Sequence, residues 1–128
     1  MRQKSIEIEN FGHSAPIPAA SRVGPILMTS GVGGKDPKDG KLPSDIDSQA
    51  RFAFVNLERL LKAGGMDMGD VVKIGCFVTD DKNREIINKY WVQYYPDAAK
   101  RPARHTIEMP LRGGMLIQLE ALAVAKDA

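Results

Sequence analysis

Arg101-Pro102-Ala103-Arg104-His105-Thr106-Ile107-Glu108-Met109 is followed, after Gly113-Gly114, by Leu116-Ile117-Gln118-Leu119-Glu120-Ala121-Leu122-Ala123-Val124. Both halves read as strands, because polar and apolar side chains alternate in the first and an aliphatic run dominates the second. Pro102 belongs at the start of the first strand, where its missing N–H costs least. Paired as a hairpin, the two would let the fixed cation of Arg104 and the carboxylate of Glu120 share one sheet. Glu120 lies in an otherwise apolar strand, so its carboxylate is expected to be paired, hydrogen-bonded or partly protonated. These two residues are the first candidates for chemistry.

Working outward from this stretch, 5–9 alternates as a half-buried strand, and 11–18 is held extended and irregular by Pro16 and Pro18. Segments 19–23 and 26–30 read as two short strands joined across Gly24-Pro25. A glycine-rich loop over 31–43 is long for so small a chain, which favours a functional or mobile role. The strongest helix begins at Ser44: Ile46, Ala50, Ala53, Phe54, Leu57, Leu60 and Leu61 recur at three and four and share one face. Ser44 and Asp47 have the spacing of a capping box, and Gly64-Gly65 supplies the stop. Val72, Ile74, Cys76 and Val78 give the apolar face of a further strand. Asp80-Asp81 ends that strand, and a second helix over 83–94 turns Ile87, Tyr90, Trp91 and Tyr94 inward until Pro96. The order is β-β-β-α-β-α-β-β, an α+β class.

Composition bounds what such a chain can be. With 128 residues, 43% hydrophobic and 27% charged, residues 1–128 form one domain with enough apolar side chains for one core. The formal charge of +2 comes without any block of like charges, so neither nucleic acid nor a charged membrane surface is expected as partner. Cys76 stands alone, which excludes an intrachain disulfide and suits a reducing compartment. No run approaches the ~20 apolar residues of a membrane helix, and no signal peptide is read, so a soluble cytoplasmic protein is expected. No Cys/His spacing suggests a metal. One sheet carrying two helices on one face leaves the other face apolar and in need of a cover. Oligomerisation through that face is the economical answer.

Taken together, Thr29-Ser30-Gly31, Gln49-Ala50, Asn56-Leu57, Ala63-Gly64, Val71-Val72-Lys73, Asn88 with Tyr90, Arg101 to Arg104 and Ile117 to Ala121 span nearly the whole chain. In their order and spacing they resemble the Rid/YjgF family of enamine and imine deaminases. The resemblance implies a chorismate-mutase-like fold and a homotrimer whose sheets form a central barrel, with sites in the clefts between subunits. It also implies a small-molecule carboxylate substrate and no metal or organic cofactor. Arg104 matches the arginine that grips the substrate carboxylate, and Glu120 the acidic residue that positions or activates water. Ser30, Gly31, Asn88 and Thr106 fall at substrate-binding positions. Two departures mark a divergent member: Ile17 stands where archetypal members carry tyrosine, and Thr106 where they carry cysteine. They point away from 2-aminoacrylate and toward a bulkier, aminomuconate-type substrate.

Plainer readings stand beside these. Arg104 can pair with Glu108 on its own strand face, Glu120 with a cation across the sheet, and Ser30 and Asn88 can be ordinary turn and helix residues. Alternation puts His105 opposite Arg104, which suits a structural or subunit contact. His13, on the stiff loop near Ile17, is a candidate for proton transfer because histidine titrates near neutral pH. Cys76 reads as core. Gly31-Val32-Gly33-Gly34-Lys35 lacks the spacing of a phosphate loop. The sequence leaves open a non-catalytic small-acid binding or sensor protein. An RNA-directed role as ribonuclease or translation inhibitor is disfavoured by the weak charge.

Overall fold

Alternation and helical periodicity produce the elements in the expected order. A computed structural model describes residues 2–12 and 14–126. The strands are β1 Lys4–Ile6, β2 Ala20–Val23, β3 Ile26–Thr29, β4 Val71–Val78, β5 Ala103–Glu108 and β6 Ile117–Val124. The helices are α1 Ile46–Ala63 and α2 Arg84–Tyr94, with single 3-10 turns ahead of β4, α2 and β5. The strands form one sheet in the order β1-β2-β3-β6-β4-β5, antiparallel except for the β4–β5 pair.

The parallel pair corrects the expected hairpin. Parallel strands need a crossover, and α2 supplies it, returning the chain over the sheet to lay β5 along the outer side of β4. β5 and β6 therefore do not pair. β4 runs between them, with Gly75 opposite His105 on one side and opposite Glu120 on the other.

α1 is started by Asp45, whose side chain accepts a hydrogen bond from the Ser48 N–H at 2.8 Å, so the cap falls one residue after Ser44. Asp47 serves a different purpose. It accepts from Lys89 Nζ at 2.8 Å and from the Tyr90 hydroxyl at 2.9 Å, tying α1 to α2, and both bonds hold its carboxyl below the usual range. Gly65, at φ +80°, takes the left-handed conformation that ends the helix.

The α1 stripe packs on Ile74, Cys76 and Val78 of β4 and on Ile117, Leu119, Ala121 and Ala123 of β6, all buried. α2 adds Ile87, Tyr90 and Trp91, while Tyr94 is half-buried and stacks on Phe54 with centroids 5.5 Å apart. A bulge between Val71 and Lys73 shifts the β4 parity, so Val71 is buried and Val72, expected inside, is exposed. Both helices cover one sheet face. The other carries Ile26, Met28, Ile107 and Val124, exposed by 48%, 55%, 39% and 39%, with Phe77 and Leu122 half-buried among them. Among the described residues no helix is long and apolar enough to cross a membrane.

Candidate active site

β5 is an edge strand, and its register with Ile74 turns Arg104 toward α2. There the guanidinium is oriented from two sides. Its Nη2 donates to Asn88 Oδ1 at 2.7 Å, and its carbon lies 4.9 Å from the centre of the Trp91 ring. Asn88 and Trp91 are three residues apart on α2, so one helix face presents both. No carboxylate among the described residues pairs with Arg104. Glu108, the partner a structural reading would give it, instead accepts from the Asp81 N–H at 2.9 Å. The result is a half-buried, positioned and un-neutralised cation with the geometry to grip a carboxylate.

Thr106 stands two residues along on the same face, opposite Cys76 in the β4–β5 register. Its hydroxyl oxygen is buried without a hydrogen-bond partner among the described residues. Burial pushes the Cys76 thiol up to about 12, outweighing the opposing pull of the nearby Arg104 charge. Cys76 therefore stays a protonated core thiol at neutral pH and is no nucleophile.

A second group of expected residues gathers against β6, two strands away from β5. Ile17, Ser30 and Gly31 line a cavity of about 520 Å³ whose apolar wall includes Phe11, Leu42 and Met115. The Ser30 hydroxyl donates to the Pro18 carbonyl at 2.8 Å, leaving its oxygen free to accept. Gly31 packs so closely on Gln118 that a Cβ there would strike the carboxamide. Two fully buried polar side chains of α1 hold the walls. Asn56 Nδ2 donates to the carbonyls of Gly33 at 3.1 Å and Lys35 at 2.8 Å. Gln49 Nε2 donates to the carbonyls of Pro43 at 2.8 Å and Gly114 at 3.1 Å, while its Oε1 accepts from the Leu116 N–H at 2.7 Å.

Glu120 belongs to neither group. Ile117, Leu119, Ala121 and Ala123 of β6 face the helices, so Glu120, of the other parity, lies on the open face, exposed and without a hydrogen bond or ion pair among the described residues. The partner expected for it is not needed, because water solvates it. With His105 it lines a shallow depression of about 290 Å³, the missing side chain of Gly75 separating the two. His105 thus lies opposite Arg104, as alternation requires.

Within one chain, then, Arg104, Asn88 and Thr106 lie at the β5 edge, Ile17, Ser30 and Gly31 in the cavity beside the start of β6, and Glu120 on the open face. The cavity abuts β6, where Gly31 packs on Gln118 and Val32 bridges Leu119, and two strand spacings separate β6 from β5, about 10 Å at ~4.8 Å each. His13 lies outside the described residues. Among the described residues no group of three or more His, Cys, Asp or Glu side chains is placed to hold a metal ion. Sequence reasoning missed Gln118, Lys35 and Arg112, which line the cavity, and the bracing roles of Gln49 and Asn56. Gln118 carried a signal, since it shares strand parity with Glu120 two residues earlier.

Comparison with known proteins adds a family model, described as endoribonuclease L-PSP, that matches residues 9–125. The 2-iminobutanoate/2-iminopropanoate deaminase of Escherichia coli K12 is 31% identical over 126 residues, covering 96% of this chain and 98% of that protein. The crystal structure of E. coli TdcF with bound serine superposes with a TM-score of 0.87 at 28% identity, covering 96% of this chain and 99% of that one. The E. coli YjgF gene product superposes at 0.84 with 31% identity, over 94% and 98%.

Proposed function

Because the chain belongs to the Rid/YjgF family, we propose that it deaminates reactive 2-enamine and 2-imine acids, yielding ammonia and a 2-oxo acid. The observation that carries the reading is the Arg104 guanidinium, aimed by Asn88 and Trp91 and un-neutralised by any carboxylate among the described residues. It suits the carboxylate common to every 2-imino acid. The serine found in TdcF, a similar protein, also carries one.

Protonation of an enamine at carbon, with loss of a proton from its nitrogen, gives the imine. Water adds to the imine carbon, the C–O bond forms as the C=N π pair moves to nitrogen, and a proton passes from the oxygen to that nitrogen. The carbinolamine then expels ammonia as the C=O bond closes. Glu120 is the candidate for proton transfer. Ser30 and Gly31 form the pocket floor on this reading, and Ile17 leaves room for a substrate bulkier than 2-aminoacrylate, of the aminomuconate type. Thr106 lies beside the carboxylate.

The reading also requires assembly. An exposed β5 edge, an apolar open sheet face and the distance between Arg104 and the Ile17–Ser30–Gly31 cavity all support a homotrimer in which one copy's β5 edge closes the next copy's cavity. One feature favours a second reading, a small-acid binding protein without turnover: among the described residues the cavity is lined by no carboxylate.

The discriminating experiment generates 2-imino acids in situ with an amino-acid oxidase and follows 2-oxo acid formation with and without the protein. Acceleration over spontaneous hydrolysis supports the deaminase. Tight binding of 2-oxo acids with no acceleration across a panel of imines would replace it with the binding protein.

A further inference from the structure

The charged groups lining the cavity at Ile17, Ser30 and Gly31 are both cations, Lys35 and Arg112. Lys35 is held in place: its carbonyl accepts from Asn56 Nδ2 at 2.8 Å, and its Nζ donates to the Gly12 carbonyl at 3.0 Å, leaving two further N–H donors. Arg112 begins the turn into β6. Its carbonyl accepts from the Met115 N–H at 3.1 Å, Gly113 and Gly114 take positive φ, and Gln49 grips the Gly114 carbonyl and Leu116 N–H from below. The backbone is thus fixed while the guanidinium is uncommitted, forming no side-chain hydrogen bond or ion pair among the described residues. Gln118, also without a side-chain hydrogen bond among the described residues, presents a carboxamide to the same space.

We propose that this wall is a second anion subsite, in which Arg112 and Lys35 select 2-imino acids carrying a distal carboxylate. Two cations around one cavity with no acid among the described residues lining it repel each other, and a bound anion relieves that repulsion while gaining charge-assisted hydrogen bonds. Between this wall and the pocket floor, Ile17, Leu42 and Met115 offer an apolar surface for the methylene chain joining the two ends of such a substrate. A simple 2-imino monoacid would leave the cation wall unused. The inference rests on the proposed deaminase reading for the proximal, imino-acid end, which Arg104 of an adjacent copy would hold. The distal selection is measurable without turnover.

The test compares 2-oxoglutarate with 2-oxobutanoate, stable 2-oxo acids that differ in the distal carboxylate, by calorimetry on the native protein. Beside it runs the hydrolysis of the corresponding imines made in situ from glutamate and 2-aminobutyrate. The diacid is expected to bind about tenfold or more tightly than the monoacid, with the preference shrinking as salt is raised. Arg112→Gln should cut the diacid-to-monoacid affinity ratio about tenfold, and Arg112→Lys should restore part of it. Lys35→Gln should lower the same ratio. Arg112 has an exposed side chain with no hydrogen bond or ion pair to lose among the described residues, so its variants should fold. A diacid preference that depends on Arg112, without hydrolysis of either imine, keeps the subsite and removes the deaminase. Hydrolysis of both imines with no diacid preference, or a preference indifferent to Arg112, overturns the subsite and leaves the deaminase standing.

Discussion

Arg104→Lys keeps the charge and removes the fork. In the native chain one guanidinium nitrogen is spent on Asn88 Oδ1 at 2.7 Å, and the Trp91 ring lies against the guanidinium plane's carbon at 4.9 Å, so the remaining N–H groups are presented in a fixed direction. An ammonium at the end of a flexible stem cannot both satisfy Asn88 and hold two carboxylate oxygens. Losing one charge-assisted hydrogen bond to the substrate costs about 1.5–3 kcal/mol, which is about 10- to 150-fold in kcat/KM. The fold should suffer far less. The stacking on Trp91 and the bond to an exposed Asn88 contribute about 1 kcal/mol together, equivalent to a fall of about 3–6 °C in Tm. The assay measures kcat/KM per folded protein on an imine generated in situ, alongside a thermal melt of the same preparation. A variant with native kcat/KM would refute the carboxylate-gripping role, and one that lost far more stability than this would show that Arg104 is a structural residue.

Four further outcomes follow from the same geometry. Glu120→Gln should lower turnover ~10²-fold if the group transfers protons; because Glu120 is exposed and unpaired among the described residues, its Tm should stay unchanged, and native turnover would end its catalytic assignment. Gln49→Leu keeps the approximate volume but strands the Pro43 and Gly114 carbonyls and the Leu116 N–H, costing about 3 kcal/mol at about 1 kcal/mol per bond and lowering Tm by ~10 °C; a shift under ~3 °C would mean that water replaces the clamp. Cys76 ionises at its ordinary 9.0 when unfolded but at about 12 when folded, so its contribution is intact below pH 9 and falls above it by about 1.4 kcal/mol per pH unit. Urea midpoints at pH 8 and 10.5 should therefore drop further for the native chain than for Cys76→Ala, and equal drops would contradict the burial argument. Light scattering at micromolar concentration should report a homotrimer, and a stable monomer would remove the intersubunit site.

What could be read from the sequence was what is local. The period of two in β4 and β6, the stripe of α1 and the proline after α2 each act within a dozen residues, and the element order came out as expected. Register is not local. The parity of alternation relates Arg104 to His105 inside β5, but it cannot say which face of β6 shares a side with Arg104. That depends on β4 entering between the two strands, a pairing brought about by the α2 crossover. The same limit hid Gln118. It and Glu120 have one parity, and which of them reaches the cavity is decided by the close packing of Gly31, a residue 87 positions away in the chain. Even the first residue of the β4 face was offset, because a bulge at Val72 leaves no mark in an apolar run.

The consequence reaches the chemistry. A reading by strand pattern joins Arg104 and Glu120 in one site, whereas the folded chain turns them to opposite faces and leaves the cavity at Ile17, Ser30 and Gly31 against β6, two strands from the arginine. One chain therefore holds a gripping cation without a pocket, and a pocket without an acid among the described residues. Each half makes chemical sense as a complement to the other, and the surfaces left uncovered are the β5 edge and the apolar sheet face. The separation of the parts is thus the strongest physical reason to look for the reaction between copies of the chain.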